Sequence, residues 1–190
     1  MELLKERIVE DGVAIGTEVL KVDSFLNHRI DVALLNEIGK EFKRLFENDK
    51  INKILTIESS GIAIACITSM HFGNLPVVFA KKAKPNTLTD EFYGHEVASF
   101  TKGTKSVAVI SKKYLNEDDR VLIIDDFLAH GEAALGMVNI TEQAGAKVAG
   151  IGIVIEKAFQ GGGKRLRDAG YRVESLAVIS SIDDGNINFK

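Results

Sequence analysis

Two adjacent carboxylates, Asp125 and Asp126, are the residues whose type and spacing point most directly to chemistry. They follow the apolar run Val-Leu-Ile-Ile at 121–124 and precede the small-residue stretch Ala-His-Gly-Glu-Ala at 129–133. Like charges at the end of an apolar strand repel each other and lose their hydration. The pattern therefore predicts that a positive group or a set of hydroxyl groups comes to meet the two acids.

The stretch that follows the acid pair has the composition of an anion-binding turn. Its small residues let backbone N–H groups approach a ligand, and the N-terminus of the following helix attracts negative charge. From the turn alone, a plain strand-to-helix connection is an equally good interpretation. The acid pair shifts the balance, because a sugar phosphate offers hydroxyl groups to the carboxylates and a phosphate to the turn.

An alternation of strands and helices positions these residues. We expect helices at 1–11, 31–48, 61–72, 131–144 and 164–169, an extended segment at 13–22, and strands at 51–57, 76–80, 121–126, 148–155 and 171–179. The central strands are apolar almost throughout, and those at 51–57 and 76–80 are expected to be buried, which is typical of a parallel sheet covered on both faces. The sequence therefore predicts an α/β fold, which binds ligands beyond the carboxyl ends of its strands.

One long segment departs from this alternation. Residues 81–105 are polar and lack a core pattern, with Pro85, Thr87 and Thr89 near the middle. A segment of this length without a core pattern indicates a functional loop or lid. Hairpin strands at 92–100 and 106–111 are expected at its base.

Composition bounds the class of protein. The 190 residues are 45% hydrophobic and 27% charged, which is enough for one core and a polar surface. A net charge of −3 argues against broad nucleic-acid binding. Without a signal peptide or a bilayer-spanning apolar run, the expectation is a soluble cytoplasmic protein. The single cysteine, Cys66, stands in an apolar run and is expected in the core.

Several of these motifs resemble those of the type I phosphoribosyltransferase family. Residues 121–134 resemble the motif that binds 5-phosphoribosyl 1-pyrophosphate (PRPP), and Glu-Ser-Ser-Gly-Ile at 58–62 resembles the pyrophosphate loop. Residues 77–82 resemble the next strand with its basic end, and 88–90 the catalytic lid. The resemblance implies a single domain over 1–190 with a central, mainly parallel sheet flanked by helices. It also implies a flexible lid at about 84–105 and a small hood at about 1–35 and 156–190.

Two further segments, 19–28 and 153–160, resemble the base-binding parts of the bacterial xanthine-specific members. The resemblance implies phosphoribosyl transfer from PRPP to xanthine in purine salvage, giving xanthosine 5'-monophosphate and pyrophosphate. It implies Mg²⁺ held mainly by PRPP, with no metal ligands from the protein, and a homodimer without nucleic-acid or membrane partners. The implied site residues are Asp125 and Asp126 for catalysis; Ala129, His130, Gly131, Glu132 and Ala133 for PRPP; Leu20, Asn27 and Lys157 for xanthine; and Ser59, Ser60, Gly61, Lys81 and Lys82 for pyrophosphate, with one of the two lysines expected to make the contact.

The chain also departs from the family pattern. Ala129 stands where many purine-specific members have an aspartate that is proposed to act as a base, so the general base is unassigned. Threonines common in the phosphate loop are replaced by His130 and Ala133, so binding relies more on backbone N–H groups. Glu132 is expected to face solvent or to meet a basic residue.

Other functions stay open at this point. A guanine, hypoxanthine or adenine phosphoribosyltransferase would share the same motifs, although Lys157 disfavours adenine, which shows a donor where oxopurines show an acceptor. A non-catalytic PRPP-sensing regulator would also use this fold. A DNA-binding regulator is disfavoured because the chain is acidic and its first helix is short.

Overall fold

The computed structural model describes residues 1–82, 91–99 and 104–190. Its α-helices are α1 (Glu2–Asp11), α2 (Val32–Phe46), α3 (Gly61–His71), α4 (Glu132–Gln143) and α5 (Gly162–Asp168). Its strands are β1 (Val13–Ile15), β2 (Val19–Lys21), β3 (Lys53–Ile57), β4 (Val77–Ala80), β5 (Phe92–Ser99), β6 (Thr104–Ser111), β7 (Arg120–Leu128), β8 (Lys147–Lys157), β9 (Val173–Asp183) and β10 (Asn186–Phe189). Short helical turns occupy Asp23–Asn27, Lys112–Tyr114 and Ala158–Gln160.

The central sheet has six strands in the order β10-β9-β8-β7-β3-β4. All neighbouring strands are parallel except β9 and β10, so the predicted mainly parallel sheet is confirmed. The chain runs outward from β3 to β4 on one side, and from β7 through β8 to β9 on the other. The strand order therefore reverses between β3 and β7, which is where such sheets bind ligands.

Both faces of the sheet are covered, because successive residues of a strand point to opposite faces. Ile54, Leu122 and Ile124 pack in a core with residues of α1, α2 and α3. Leu55 and Ile123 pack in a second core with residues of α4 and the β5–β6 hairpin. The alternation along β3 and β7 thus holds the two layers together around the strand that carries the acid pair.

Two glycines of β8 let α2 lie close to the sheet. A methyl group at Gly152 would lie 2.8 Å from Phe42 Cε1, and one at Gly150 would lie 3.0 Å from Phe46 Cδ1. Both phenylalanines are buried and stand one helical turn apart on the inner face of α2. The absence of a side chain on two alternate strand residues therefore provides the space into which two aromatic rings of the helix fit.

Half of the lid predicted at about 84–105 lies outside the described residues, which omit 83–90 and 100–103. The hairpin expected at its base is confirmed: β5 pairs with β6 in antiparallel register, from Phe92 with Ser111 to Ser99 with Thr104. The hairpin docks on α4, where the Gln143 side-chain amide donates to Gly94 O and its carbonyl accepts from Gly94 N. The base of the lid is thereby tied to the helix that follows the acid pair.

The ends of the strands differ from the sequence-based expectations. β7 continues to Leu128, so the acid pair lies within the strand. The segment at 13–22 is a hairpin of β1 and β2 with a turn between them. The strand expected to be last at 171–179 continues to Asp183 and is followed by β10. The part of the expected hood at 156–190 therefore contributes two strands to the central sheet.

Two burial expectations were wrong. Cys66 is exposed on α3. The prediction failed because that helix is apolar on all sides, so its sequence does not mark which face is buried. β4 is an edge strand rather than a fully buried one, and its Phe79 is 38% exposed. Within the described ranges, no helix combines the length and apolarity that crossing a bilayer requires.

We expect Gly150→Ala to lower the free energy of unfolding by about 1–3 kcal/mol, because the new methyl group must displace the Phe46 ring or move α2. Urea denaturation followed by circular dichroism measures the change. Gly94→Ala is the matched control, since a methyl group there would meet its neighbours at 3.5 Å, an ordinary contact distance. Equal stability of the wild type and Gly150→Ala would contradict the packing described here.

Candidate active site

The acid pair lies near the carboxyl end of β7, in the middle of the sheet. Asp125 is 7% exposed and pairs in register with Ile153 of β8, and its Oδ1 accepts the backbone N–H of Asp126 at 3.0 Å. Burial raises the pKa of the Asp125 carboxyl well above its ordinary value. The charge of Asp126 raises that pKa further, and the positive charge of Lys82 opposes the shift.

The turn after β3 meets the acid pair through Gly61, the first residue of α3. A methyl group at Gly61 would collide with Thr56 Oγ1 and would lie 3.3 Å from Asp125 Oδ1. The helix therefore begins directly beside the buried carboxylate, and the predicted Ser59, Ser60 and Gly61 turn is brought to the acids. The Glu58–Ser59 peptide bond in this turn is cis.

Of the two predicted lysines, Lys82 is the one whose positive charge opposes the raised pKa of Asp125. Its backbone N–H donates to Glu58 Oε1 at 2.6 Å, which ties the end of β4 to the turn after β3. Lys81 instead uses its backbone in a bridge to Val109 of the β5–β6 hairpin, with N···O distances of 3.0 and 2.9 Å. Lys82 therefore contributes positive charge to the electrostatics of Asp125, and Lys81 holds the hairpin through its backbone.

Asn27 reaches the second acid from the opposite side. It ends the helical turn Asp23–Asn27, and its Nδ2 donates to Asp126 Oδ2 at 3.1 Å. Its Oδ1 is buried and has no hydrogen-bond partner among the described residues. The turn brings Asn27 to a residue 99 positions away and leaves one buried acceptor available beside the acid pair.

Lys157 lies at the end of β8 beside the β1–β2 hairpin. Its Nζ donates to the backbone oxygen of Glu18 at 2.9 Å, in the turn that precedes Leu20 on β2. Burial lowers the pKa of this half-buried lysine, and the nearby Glu18 charge opposes the shift. The structure therefore joins Lys157 to the turn two residues before Leu20, and the Leu20 side chain itself is buried in the core. Phe159 is 38% exposed just beyond.

The turn at 129–133 connects β7 to α4 and has the left-handed backbone that favours glycine. Gly131 caps α4 with φ +90°, a conformation that other residues rarely adopt. A methyl group there would also lie 3.3 Å from Gly162 Cα. His130 and Ala133 on either side are half-buried. The turn therefore presents the N-terminus of a twelve-residue helix to the space beyond the acid pair.

A glycine triplet at 161–163 supports this turn, although its contribution was not foreseen from the sequence. Gly162 N donates to Ala129 O at 3.0 Å, and a methyl group at Gly162 would lie 2.6 Å from Gly131 N. Three consecutive glycines were the available signal, because such a run often marks a close approach of two backbones. The start of α5 therefore packs directly against the turn at 129–133.

A buried carboxylate anchors α5 from below. Glu156 Oε1 and Oε2 accept from the two terminal nitrogens of Arg167 at 2.9 and 2.8 Å, and Oε2 also accepts from Ser175 Oγ. Burial alone would raise the pKa of Glu156, but the hydrogen bonds from Arg167 and Ser175 outweigh it and the pKa lies below its ordinary value. Gly163 leaves the space that the Glu156 carboxylate fills.

Glu132, the acidic residue in the turn, meets a basic residue as expected. Its Oε1 accepts from Arg165 Nη1 of α5 at 2.6 Å. The Glu132 side chain is 29% exposed and that of Arg165 is 57% exposed. The pair thus bridges the first residue of α4 to the helix that supports the turn.

Taken together, the fold and the site define a class of protein. An acid pair at the point where the strand order reverses faces a backbone turn at a helix N-terminus, which suits hydroxyl groups on one side and phosphate on the other. Among residues 1–82, 91–99 and 104–190, no group of three His, Cys, Asp or Glu side chains is placed to hold a metal ion. The arrangement is that of a protein that binds a phosphorylated sugar.

Comparison with known proteins agrees with this class. The model of the phosphoribosyl transferase domain matches residues 21–185, and the chain belongs to this family. A xanthine phosphoribosyltransferase of Ruminiclostridium cellulolyticum is 58% identical over 189 residues, covering 100% of this chain and 99% of that protein. One of Clostridioides difficile is 54% identical, with 100% of both chains covered.

A solved adenine phosphoribosyltransferase structure has the same fold. The enzyme of Rhodothermus marinus has a TM-score of 0.74 at 22% identity, with 94% of this chain and 100% of that chain covered. At this identity the similarity establishes the type I phosphoribosyltransferase fold and carries no information about the base.

We expect Asp125→Asn to stabilise the protein at neutral pH by on the order of 1 kcal/mol. Because the pKa of Asp125 is raised, the folded state holds its proton more tightly than the unfolded state, where the pKa is about 3.9. Native stability therefore falls as pH rises from that value towards the folded pKa, and asparagine removes this loss.

Thermal unfolding of the wild type and of Asp125→Asn at pH 7 and at about pH 4 measures the difference in stability. The difference should shrink at the lower pH, because Asp125 is then protonated in the folded wild type and is neutral like the asparagine. Asp126→Asn, at a half-buried position, is the control and should change stability less. A wild type more stable than Asp125→Asn at pH 7 would show that the carboxylate is compensated within the folded chain.

Proposed function

We propose that the protein is a xanthine phosphoribosyltransferase, which transfers the 5-phosphoribosyl group of PRPP to xanthine in purine salvage. The C1–O bond to pyrophosphate breaks and a bond from C1 to a ring nitrogen of xanthine forms. The products are xanthosine 5'-monophosphate, pyrophosphate and the proton of the purine nitrogen. The proposal follows the relatives that are 54–58% identical over the whole chain and bear this name.

One contact carries the proposal: the hydrogen bond of 3.1 Å from Asn27 Nδ2 to Asp126 Oδ2. It joins the segment assigned to the base with the acid pair assigned to the ribose, which are the two parts that must meet at the reacting carbon. Asn27 Oδ1 is left buried without a partner in the described part of the chain, so it is available to accept an N–H of the base.

The acid pair is suited to a transition state in which positive charge develops on the ribose ring. We assign Asp125 and Asp126 to the ribose hydroxyls, where their charge also favours an oxocarbenium-like state. Burial makes the Asp125 charge costly in the free protein, as its raised pKa indicates. A ligand carrying hydroxyl donors would offset that cost, so the site favours the bound state over the empty one.

We assign the phosphate groups of PRPP to the two turns that flank the acid pair. Backbone N–H groups at Ala129, His130, Gly131, Glu132 and Ala133 would hold the 5-phosphate at the start of α4. Those at Ser59, Ser60 and Gly61 would stabilise the leaving pyrophosphate together with Lys82. Lys82 is preferred over Lys81 because its positive charge opposes the raised pKa of Asp125.

Magnesium fits this arrangement as a companion of PRPP. Asp125 and Asp126 are assigned to the ribose hydroxyls, and among the described residues no group of three His, Cys, Asp or Glu side chains is placed to hold a metal ion. Mg²⁺ would therefore take its ligands from PRPP oxygens and water, as is usual for this ion. When bound, it would neutralise charge on the pyrophosphate.

Recognition of the base would combine Lys157, Asn27 and the backbone near Leu20. Lys157 would donate to the exocyclic oxygen shared by oxopurines, for which it must leave or share the Glu18 carbonyl. Xanthine differs from hypoxanthine by a second carbonyl group. A site that hydrogen-bonds that group can reject a base that lacks it by a large factor.

The test is to incubate the protein with Mg²⁺, PRPP and, separately, xanthine, guanine, hypoxanthine or adenine, and to measure pyrophosphate release. Xanthine should give the highest kcat/KM. Asp125→Asn/Asp126→Asn should lower kcat with xanthine by at least about 100-fold, because a preorganised charge in the transition state is lost.

Asn27→Ala in the same assay should reduce the preference for xanthine over hypoxanthine while turnover with hypoxanthine persists. A higher kcat/KM with guanine or hypoxanthine in the wild type would assign the enzyme to those bases instead. Absence of pyrophosphate release with every base, alongside PRPP binding by calorimetry, would make the protein a PRPP sensor.

The proposal includes a cytoplasmic location, because PRPP is charged and does not cross membranes unaided. It also includes a homodimer. The dimer is supported by α3, which is apolar on all sides yet has Cys66 and Met70 exposed. A helix that is apolar on all sides is normally buried on all sides. We therefore expect a second copy of the chain to pack on the exposed face of α3.

Sedimentation should give about twice the chain mass of 20.7 kDa. Met70 is 65% exposed in the single chain, on the face of α3 that the second copy would cover. Met70→Glu should therefore shift the population towards the monomer, because it places a charge in that interface. Val9→Glu on α1, also 65% exposed, is the matched control and should leave the mass unchanged. A monomeric wild type at micromolar concentration would refute the dimer.

A further inference from the structure

We propose that Arg165 is a positioning residue that holds the Glu132 carboxylate away from the 5-phosphate, and thereby sets the affinity for PRPP. The inference rests on the proposed function, because it assumes that the turn at 129–133 receives the phosphate. It concerns a pair of side chains on two different helices, joined by a contact of 2.6 Å between Arg165 Nη1 and Glu132 Oε1.

Glu132 poses an electrostatic problem for a phosphate site. It is the first residue of α4, so its carboxylate and the phosphate are both attracted to the N–H groups at the same helix N-terminus. The two anions also repel each other, and at 29% exposure the Glu132 side chain is only partly screened by water. A carboxylate left free at this position would lower the affinity of the turn for phosphate.

Arg165 answers both parts of this problem. Its guanidinium neutralises the Glu132 charge and draws the carboxylate towards α5, which leaves the helix N-terminus to the phosphate. At 57% exposure the arginine side chain has room to pair with the carboxylate while remaining hydrated.

The position of Arg165 is fixed from two sides. The start of α5 touches the turn through Gly162, whose N–H donates to Ala129 O at 3.0 Å. Two residues beyond Arg165, both terminal nitrogens of Arg167 donate hydrogen bonds to the buried Glu156 carboxylate. Because α5 is held at both points, Arg165 is held at the distance from Glu132 that the ion pair requires.

A direct role for Arg165 as a phosphate ligand is the competing explanation, and it predicts the opposite dependence on Glu132. If Arg165 acts through Glu132, removing Glu132 makes the arginine dispensable. If Arg165 binds phosphate itself, removing Glu132 frees the arginine and makes it more important. A double-mutant cycle separates the two cases.

The experiment compares the wild type with Arg165→Met, Glu132→Gln and the double variant, measuring kcat and the KM for PRPP at saturating xanthine. Arg165→Met should raise the KM about two- to fivefold with kcat within about twofold, the size expected for a partly exposed pair. Glu132→Gln should have a KM at or below that of the wild type. The double variant should match Glu132→Gln, and the difference between wild type and Arg165→Met should shrink in high salt.

Lys164→Met is the matched control, because it removes one positive charge from the adjacent residue of the same helix. Lys164 pairs with Asp168 within α5 at the surface, with side-chain exposures of 80% and 61%. Its KM for PRPP should equal that of the wild type. If Lys164→Met raised the KM for PRPP as much as Arg165→Met does, the change in KM would come from the overall positive charge of α5, and the proposal would be overturned.

Two other outcomes would overturn it: an unchanged KM in Arg165→Met, or a larger rise when Arg165→Met is made in the Glu132→Gln background. Failure of the proposed function is a separate result, recognised by lack of xanthine turnover in the wild type. In that event calorimetric binding of PRPP with Mg²⁺ by the same four proteins tests the role of Arg165 directly, with the same expected order of affinities.

Discussion

The burial of the Asp125 carboxylate is the constraint on which the rest of the site depends. A charge at 7% exposure in the middle of the sheet needs a partner, and within the described chain it has the backbone N–H of Asp126 and the positive charge of Lys82. Its pKa is raised accordingly, so the folded state carries an unfavourable term that ligand hydroxyls would relieve. The enzyme thus keeps its reactive centre poorly satisfied when empty, a common cost of function.

Glycine is the means by which the backbone comes close to this centre. Gly61 starts α3 beside Asp125, Gly131 gives the turn its left-handed conformation, and Gly162 lets α5 touch that turn. Further from the site, Gly150 and Gly152 admit the rings of α2 to the sheet. At each place the omitted side chain leaves room for neighbouring atoms: polar side chains at Gly61, a second backbone at Gly131 and Gly162, and aromatic rings at Gly150 and Gly152.

Much of the fold and the contiguous motifs could be predicted from the sequence, because they depend on local patterns. The apolar runs predicted the parallel strands, and the order of acids, small residues and helical pattern predicted the turn that connects β7 to α4. The exposed side of α3, including Cys66, could not be predicted, since a helix that is apolar all round has no periodicity to show which side faces solvent. The strand β10 was missed because Asn186–Phe189 has only four residues, too few for its polar–apolar alternation to stand out in the sequence, and in the described part of the chain it pairs only with β9.

The contacts that complete the site were hidden for a different reason: they join residues that are far apart in sequence. Asn27 meets Asp126 across 99 positions, Lys157 meets Glu18 across 139, and Arg165 meets Glu132 across 33. No local pattern reports such pairs, because each depends on how the sheet brings separate loops to one edge. Glu132 in the turn at 129–133 illustrates the consequence. From the motif alone it is an isolated negative charge at a helix N-terminus, whereas the structure pairs it with Arg165 of α5, so the electrostatics of the turn depend on a second helix as well as on the turn itself.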